Sequence, residues 1–85
     1  MASYRLLIKP SAVKELEAVP LKDRRRLAGR MRELSEQPRP PGAEKLSGLE
    51  LYRVRQGDYR VIYEISEPDR AVTVFKIGHR REVYR

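Results

Sequence analysis

The stretch Leu51-Tyr52-Arg53-Val54-Arg55-Gln56-Gly57-Asp58-Tyr59-Arg60-Val61-Ile62-Tyr63-Glu64-Ile65-Ser66 decides the fold. Two runs of alternating side chains flank Gly57-Asp58. That dipeptide is a two-residue hairpin signal, with glycine where the loop needs a positive φ. A two-residue loop also sets the pairing: Gln56 faces Tyr59, Arg55 faces Arg60 and Arg53 faces Ile62. One face of the hairpin then carries Tyr52, Val54, Tyr59, Val61, Tyr63 and Ile65, a core surface. The other carries Arg53, Arg55 and Arg60. A slip of one residue would mix the two sets and drive arginines into the core.

The rest of the chain reads outward from this hairpin. Downstream, Glu67-Pro68-Asp69-Arg70 is a turn-rich connector into a third strand, Ala71 to Ile77. Upstream, Gln37-Pro38-Arg39-Pro40-Pro41-Gly42 breaks regular structure, and Glu44 to Glu50 is a transition segment with Gly48 as its turn. Leu27, Ala28, Met31 and Leu34 recur at helical spacing and predict a helix over Leu21 to Glu36. Its opposite side is charged, with Arg24, Arg25, Arg26, Arg30 and Arg32. Ser11 is a good N-cap for a shorter helix from Ala12 to Val19, with Val13, Leu16 and Ala12 on its buried stripe. Tyr4 to Lys9 alternates as a first strand, with Tyr4, Leu6 and Ile8 on one face, and Pro10 ends it. The expected architecture is α+β in the order β-α-α-β-β-β. A helical hairpin packs on one face of a mainly antiparallel four-stranded sheet, and the other face stays open and basic.

Composition narrows the partners. A chain of 85 residues is one domain, 1–85. A domain of that size buries only ~60% of its unfolded surface and is marginal by itself. There is no cysteine, so no disulfide staples it and no thiolate serves as metal ligand or nucleophile. Nineteen Lys and Arg against twelve Asp and Glu leave a net charge of +7, which points to a phosphate-rich or acidic partner. No apolar run approaches the ~20 residues of a membrane span. Met1 to Lys9 lacks the apolar stretch and cleavage site of a signal peptide. A cytoplasmic protein with no membrane partner is expected.

Arg55 opposite Arg60 is an unfavourable pairing of like charges with no structural gain in the pattern. A local rule broken without gain marks a candidate functional site. The competing reading is a solvated face whose arginines pair with Glu64 or Glu82. Arginine clusters suit phosphates because the planar guanidinium donates two parallel hydrogen bonds. The last segment, Lys76-Ile77-Gly78-His79-Arg80-Arg81-Glu82-Val83-Tyr84-Arg85, adds a turn at Gly78 and then one histidine, two arginines and a tyrosine. Together with the arginine face these residues supply phosphate donors and proton-transfer groups.

Leu46-Ser47-Gly48, Tyr52-Arg53-Val54-Arg55, Gly57-Asp58-Tyr59-Arg60-Val61-Ile62-Tyr63, Ile77-Gly78-His79-Arg80 and Val83-Tyr84 together resemble the RelE/ParE superfamily of toxin–antitoxin toxins. The resemblance covers nearly the whole chain. It implies the toxin of a type II system, silenced by a cognate RelB-like antitoxin in a hetero-oligomer. In the RelE branch it implies ribosome-dependent cleavage of messenger RNA without metal or cofactor. Arg53 and Arg55 take the positions of that branch's two catalytic lysines. Arg60 matches its strand arginine, Arg80 the arginine after the turn, and Tyr84 the terminal tyrosine. The chain departs from the pattern in having arginine at both lysine positions and two fewer residues between Arg80 and Tyr84.

The implied reaction is attack by the RNA 2′-hydroxyl on its own 3′-phosphate. Arg53, Arg55, Arg60 and Arg80 are expected to hold the phosphate and stabilise its growing charge, with Arg81 as a further RNA contact. Tyr84 is the candidate general base; neighbouring guanidinium groups favour its phenolate. His79 is the candidate acid for the leaving 5′-oxygen, or else only positions the RNA. No Asp/Glu pair stands beside the arginines to build a two-metal site. Two readings compete: a ParE-like toxin that poisons DNA gyrase, and a non-catalytic nucleic-acid-binding module. Against the second, there is no helix-turn-helix, zinc-ligand or aromatic stacking signature.

Overall fold

Period-two alternation either side of Gly57 builds the centre of the molecule, as the pattern requires. The structure, a computed structural model, describes residues 4–79. Strands β1 (Arg5–Ile8), β2 (Glu44–Lys45), β3 (Leu51–Gln56), β4 (Tyr59–Ser66) and β5 (Ala71–His79) form a single sheet in the order β1-β5-β4-β3-β2. Helices α1 (Pro10–Glu17) and α2 (Leu21–Glu36) lie between β1 and β2 in the chain. The α+β class and the one-sided helical hairpin agree with the sequence reading. β1 joins β5 in parallel and the other pairs are antiparallel. In β3–β4, Gln56 pairs with Tyr59, Arg55 with Arg60 and Arg53 with Ile62. Gly57 has φ +62°, the left-handed conformation that a side chain would strain.

Three details differ from expectation. Among the described residues the sheet has five strands, because Glu44 and Lys45 pair with Arg53 and Tyr52. Two polar residues carry no readable alternation, so this edge strand is invisible in the pattern. α1 starts at Pro10, not after Ser11, with Lys9 as an extended N-cap that offers no side-chain cap. Proline fits a first helical turn, where its missing N–H has no intrahelical acceptor to lose. Finally, β5 continues through Gly78 to His79, with no turn there.

The core lies between the helices and one sheet face. Leu27, Met31 and Leu34 of α2 meet Val54, Val61, Tyr63, Val72, Val74 and Ile77, all buried. Tyr63 is wholly buried, and its hydroxyl donates to the Pro38 carbonyl at 2.6 Å, which ties the proline-rich loop to the sheet. Burial pushes that phenol up to about 12. Tyr52 stacks beside it, with ring centroids 5.9 Å apart. Arg24 donates to the Val19 and Glu17 carbonyls, placing positive charge at the C-terminal end of α1. α1 is tied to β5 by Glu15, which accepts from the Ile77 N–H at 2.8 Å and pairs with Lys76 at 3.1 Å.

One irregularity matters for the site. Tyr63 pairs with Val74 but Ile62 pairs with Lys76, so Phe75 is an extra residue in β5. This bulge shifts the alternation by one: Val72 and Val74 face the helices, and beyond it Ile77 does too. Lys9 places its ammonium 3.9 Å from the centre of the Phe75 ring. No helix among the described residues is long and apolar enough to cross a membrane.

Candidate functional site

The site begins with three positions that share the sheet face away from the helices. Arg53 and Arg55 are two apart on β3, so their side chains leave the same face roughly 7 Å apart along the strand. Arg60 on β4 is the direct partner of Arg55, with Cβ atoms about 5 Å apart at such a position. The structure thus brings Arg53, Arg55 and Arg60 together, and none of them turns beneath the helices. They differ in freedom. Arg55 is exposed, Arg53 is half-buried, and Arg60 is 7% exposed. Arg60 also donates to the carbonyl of Tyr59 at 3.3 Å. Its partner on β5 is Gly78, which has no side chain to compete for the space above Arg60.

A carboxylate unnoticed in the sequence stands among them. Glu44 pairs in register with Arg53, and its Oε1 accepts from Arg53 Nη2. The acids weighed as partners from the sequence were Glu64 and Glu82; Glu82 lies outside the described residues, and Arg53 makes an ion pair with Glu44. The Arg53 hydrogen bond and charge, with smaller contributions from Arg55 and Arg60, hold the Glu44 carboxyl below the usual carboxylate range. Glu64 lies on the same face but one end away, opposite Leu51 and Thr73. Glu50, Glu64, Glu67 and Asp69, together with Arg5 and Arg39, border a shallow cleft there, so this end of the face carries charges of both signs.

His79 does not join the arginines. It pairs with Tyr59 and meets its ring edge-on at 5.8 Å. Tyr59 shares the helix face with Val61 and Tyr63, and His79 shares it with Ile77. Both line a groove of about 440 Å³ beside Ala18 and Val19 at the end of α1. The sequence reading grouped His79 with the arginines; the bulge at Phe75 places it on the other side of the sheet. Arg80, Arg81 and Tyr84 lie outside the described residues. On α2, Arg25, Arg26 and Arg32 are exposed and form a separate basic surface, while Arg30 pairs with Glu33 at 3.3 Å.

Chemically, three guanidinium groups on neighbouring positions of one sheet face can hold a phosphodiester and its developing charge. Among the described residues, no group of three or more His, Cys, Asp or Glu side chains is placed to hold a metal ion.

Comparison with known proteins adds the following. The family model described as the ParE toxin of type II toxin–antitoxin systems, parDE, matches residues 6–84. No curated protein matches the chain. Among solved structures, the archaeal RelE–RelB complex from Pyrococcus horikoshii OT3 contains a chain 34% identical, with TM-score 0.83, over 94% of this chain and 98% of that one. The isolated E. coli RelE toxin is 29% identical, with TM-score 0.80, over 95% of this chain and 90% of that one. The toxin–antitoxin complex RelBE2 from Mycobacterium tuberculosis, at 20% identity and TM-score 0.81, shares the fold over 91% of this chain and 98% of that one.

Proposed function

This chain belongs to the ParE toxin family, within the RelE/ParE superfamily of type II toxin–antitoxin toxins, and we propose that it inhibits translation by cutting messenger RNA on the ribosome. The observation that supports this reading is the clustering of Arg53, Arg55 and Arg60 on the sheet face away from the helices. A toxin that acts only by docking on a protein has no need of opposed arginines, which destabilise the hairpin that holds them.

In the proposed reaction the RNA 2′-hydroxyl attacks the adjacent 3′-phosphorus. The 2′-oxygen–phosphorus bond forms, the phosphorus–5′-oxygen bond breaks, and a 2′,3′-cyclic phosphate remains. The arginines of the face, with Arg80, neutralise the extra negative charge of the pentavalent phosphorus. Tyr84 takes the 2′-hydroxyl proton, a role that requires guanidinium groups beside its phenol to favour the phenolate. Arginine effectively never releases its proton, so Arg53 and Arg55 act through charge and hydrogen bonding, not as acid or base. His79, on the opposite face, is given no proton-transfer step, and the departing 5′-oxygen takes its proton from water.

The partners in this reading are the message, the ribosome and a cognate antitoxin. The P. horikoshii RelE is found in complex with RelB, and E. coli RelBE forms a toxin–antitoxin complex; a net charge of +7 favours an acidic partner here. The match to the ParE model favours a second reading, a toxin that poisons DNA gyrase.

The test is a message carrying one 2′-deoxynucleotide immediately 5′ of the cut, translated in a purified system. The all-ribose message is expected to be cut within its reading frame only when ribosomes are present, leaving a 2′,3′-cyclic phosphate. The deoxy position is expected to resist. Cutting at the deoxy position would overturn the mechanism, and equal cutting without ribosomes would overturn the ribosomal requirement.

A further inference from the structure

We propose that Glu44 is a built-in stand-in for phosphate: in the RNA-free protein it occupies the Arg53 guanidinium, and the phosphodiester of a bound strand takes its place. The inference rests on reading the arginine face as the RNA site. Carboxylate and phosphate compete for the same guanidinium fork, because both present paired oxygens at matching spacing. The two partners are held very differently. Arg53 belongs to β3, flanked by β2 and β4, and its side chain is 15% exposed. Glu44 belongs to a two-residue strand at the sheet edge, and its side chain is 57% exposed. Displacement therefore moves the glutamate and leaves the arginine aimed at the incoming strand.

The exchange has an electrostatic consequence. Glu44 also lies within the fields of Arg55 and Arg60, so its single negative charge offsets part of the attraction of all three arginines. An isolated phosphate gains little by replacing one carboxylate. A strand that sets several phosphates against Arg53, Arg55 and Arg60 gains more, so the glutamate biases the face toward extended polyanions.

The experiment measures binding of the full chain to a short, fluorescently labelled single-stranded RNA by anisotropy across a salt series. Wild type is compared with Glu44→Gln, Glu44→Ala, Arg53→Ala and the double variant Glu44→Gln/Arg53→Ala. Removing the Glu44 charge lets the Arg53 guanidinium take one more phosphate, so both Glu44 variants are expected to bind about three- to tenfold more tightly at low salt, where exposed charges count most. The slope of log K against log salt is expected to steepen by about 0.7, the value for one more neutralised phosphate on a single strand. In the Arg53→Ala background, Glu44→Gln is expected to change affinity less. Unchanged or weaker binding by both Glu44 variants, with wild-type melting, would overturn the inference. Tighter binding by chains that leave the message whole would keep it and sink the nuclease reading. Message cleavage without any gain in binding would do the reverse.

Discussion

Arg60→Ala is expected to slow message cleavage by about 10²–10³-fold, the loss typical of one preorganised donor to a transition-state anion. Its melting temperature is expected to stay near that of wild type. Arg60 is the most enclosed of the three arginines and sits between Arg55 and Gly78 in the sheet. A buried guanidinium is costly to desolvate, so its removal relieves a penalty while it loses favourable contacts, and the two effects oppose. It also relieves the like-charge pairing with Arg55. Arg60→Lys keeps the charge but loses the planar fork, and is expected to fall between Ala and wild type. Rates and thermal melts measured on the same preparations check this. Full cleavage by a well-folded Arg60→Ala chain would remove Arg60 from the site.

The second large effect concerns stability. Leu27 is fully buried at the centre of α2, against the helix face of the sheet. Leu27→Ala is expected to cost about 3–5 kcal/mol, combining lost transfer energy with the cavity left behind. A chain of 85 residues has roughly 4–13 kcal/mol of total stability. The substitution thus removes a large share, and each kcal/mol corresponds to about 4–8 °C in a domain of this size. Arg25→Ala, on the exposed side of the same helix, is expected to stay within about 0.5 kcal/mol. Chemical denaturation of the two variants is the check. Binding of an antitoxin to the folded state would raise the melting point of Leu27→Ala by mass action.

Much of this arrangement was legible before the structure, for identifiable physical reasons. Gly57-Asp58 permits one register, and that register alone separates Tyr52, Val54, Val61 and Tyr63 from the arginines. The bounds of α2, Leu21–Glu36, follow from Pro20 before it and the proline-rich loop after it. What escaped depends on long-range pairing. β2 is two polar residues, recognisable only by their bond to β3. Glu44 was therefore passed over as part of a connector, although it is the acid nearest the arginines in function. The bulge at Phe75 escaped for a similar reason. Counting from Val72 and Val74 without it sends His79 to the arginine face; with it, Ile77 and His79 turn toward the helices. No local pattern in Val74-Phe75-Lys76-Ile77 announces that extra residue. The fold could thus be read from periodicity, while the membership of the site turned on a single inserted residue.

The two target classes open to this family separate in one parallel measurement: message integrity in a purified translation system beside supercoiling by purified gyrase, both titrated with the same chain. The arginine-face account expects the message to be cut at toxin concentrations that leave supercoiling untouched. An intact message together with arrested supercoiling would contradict it.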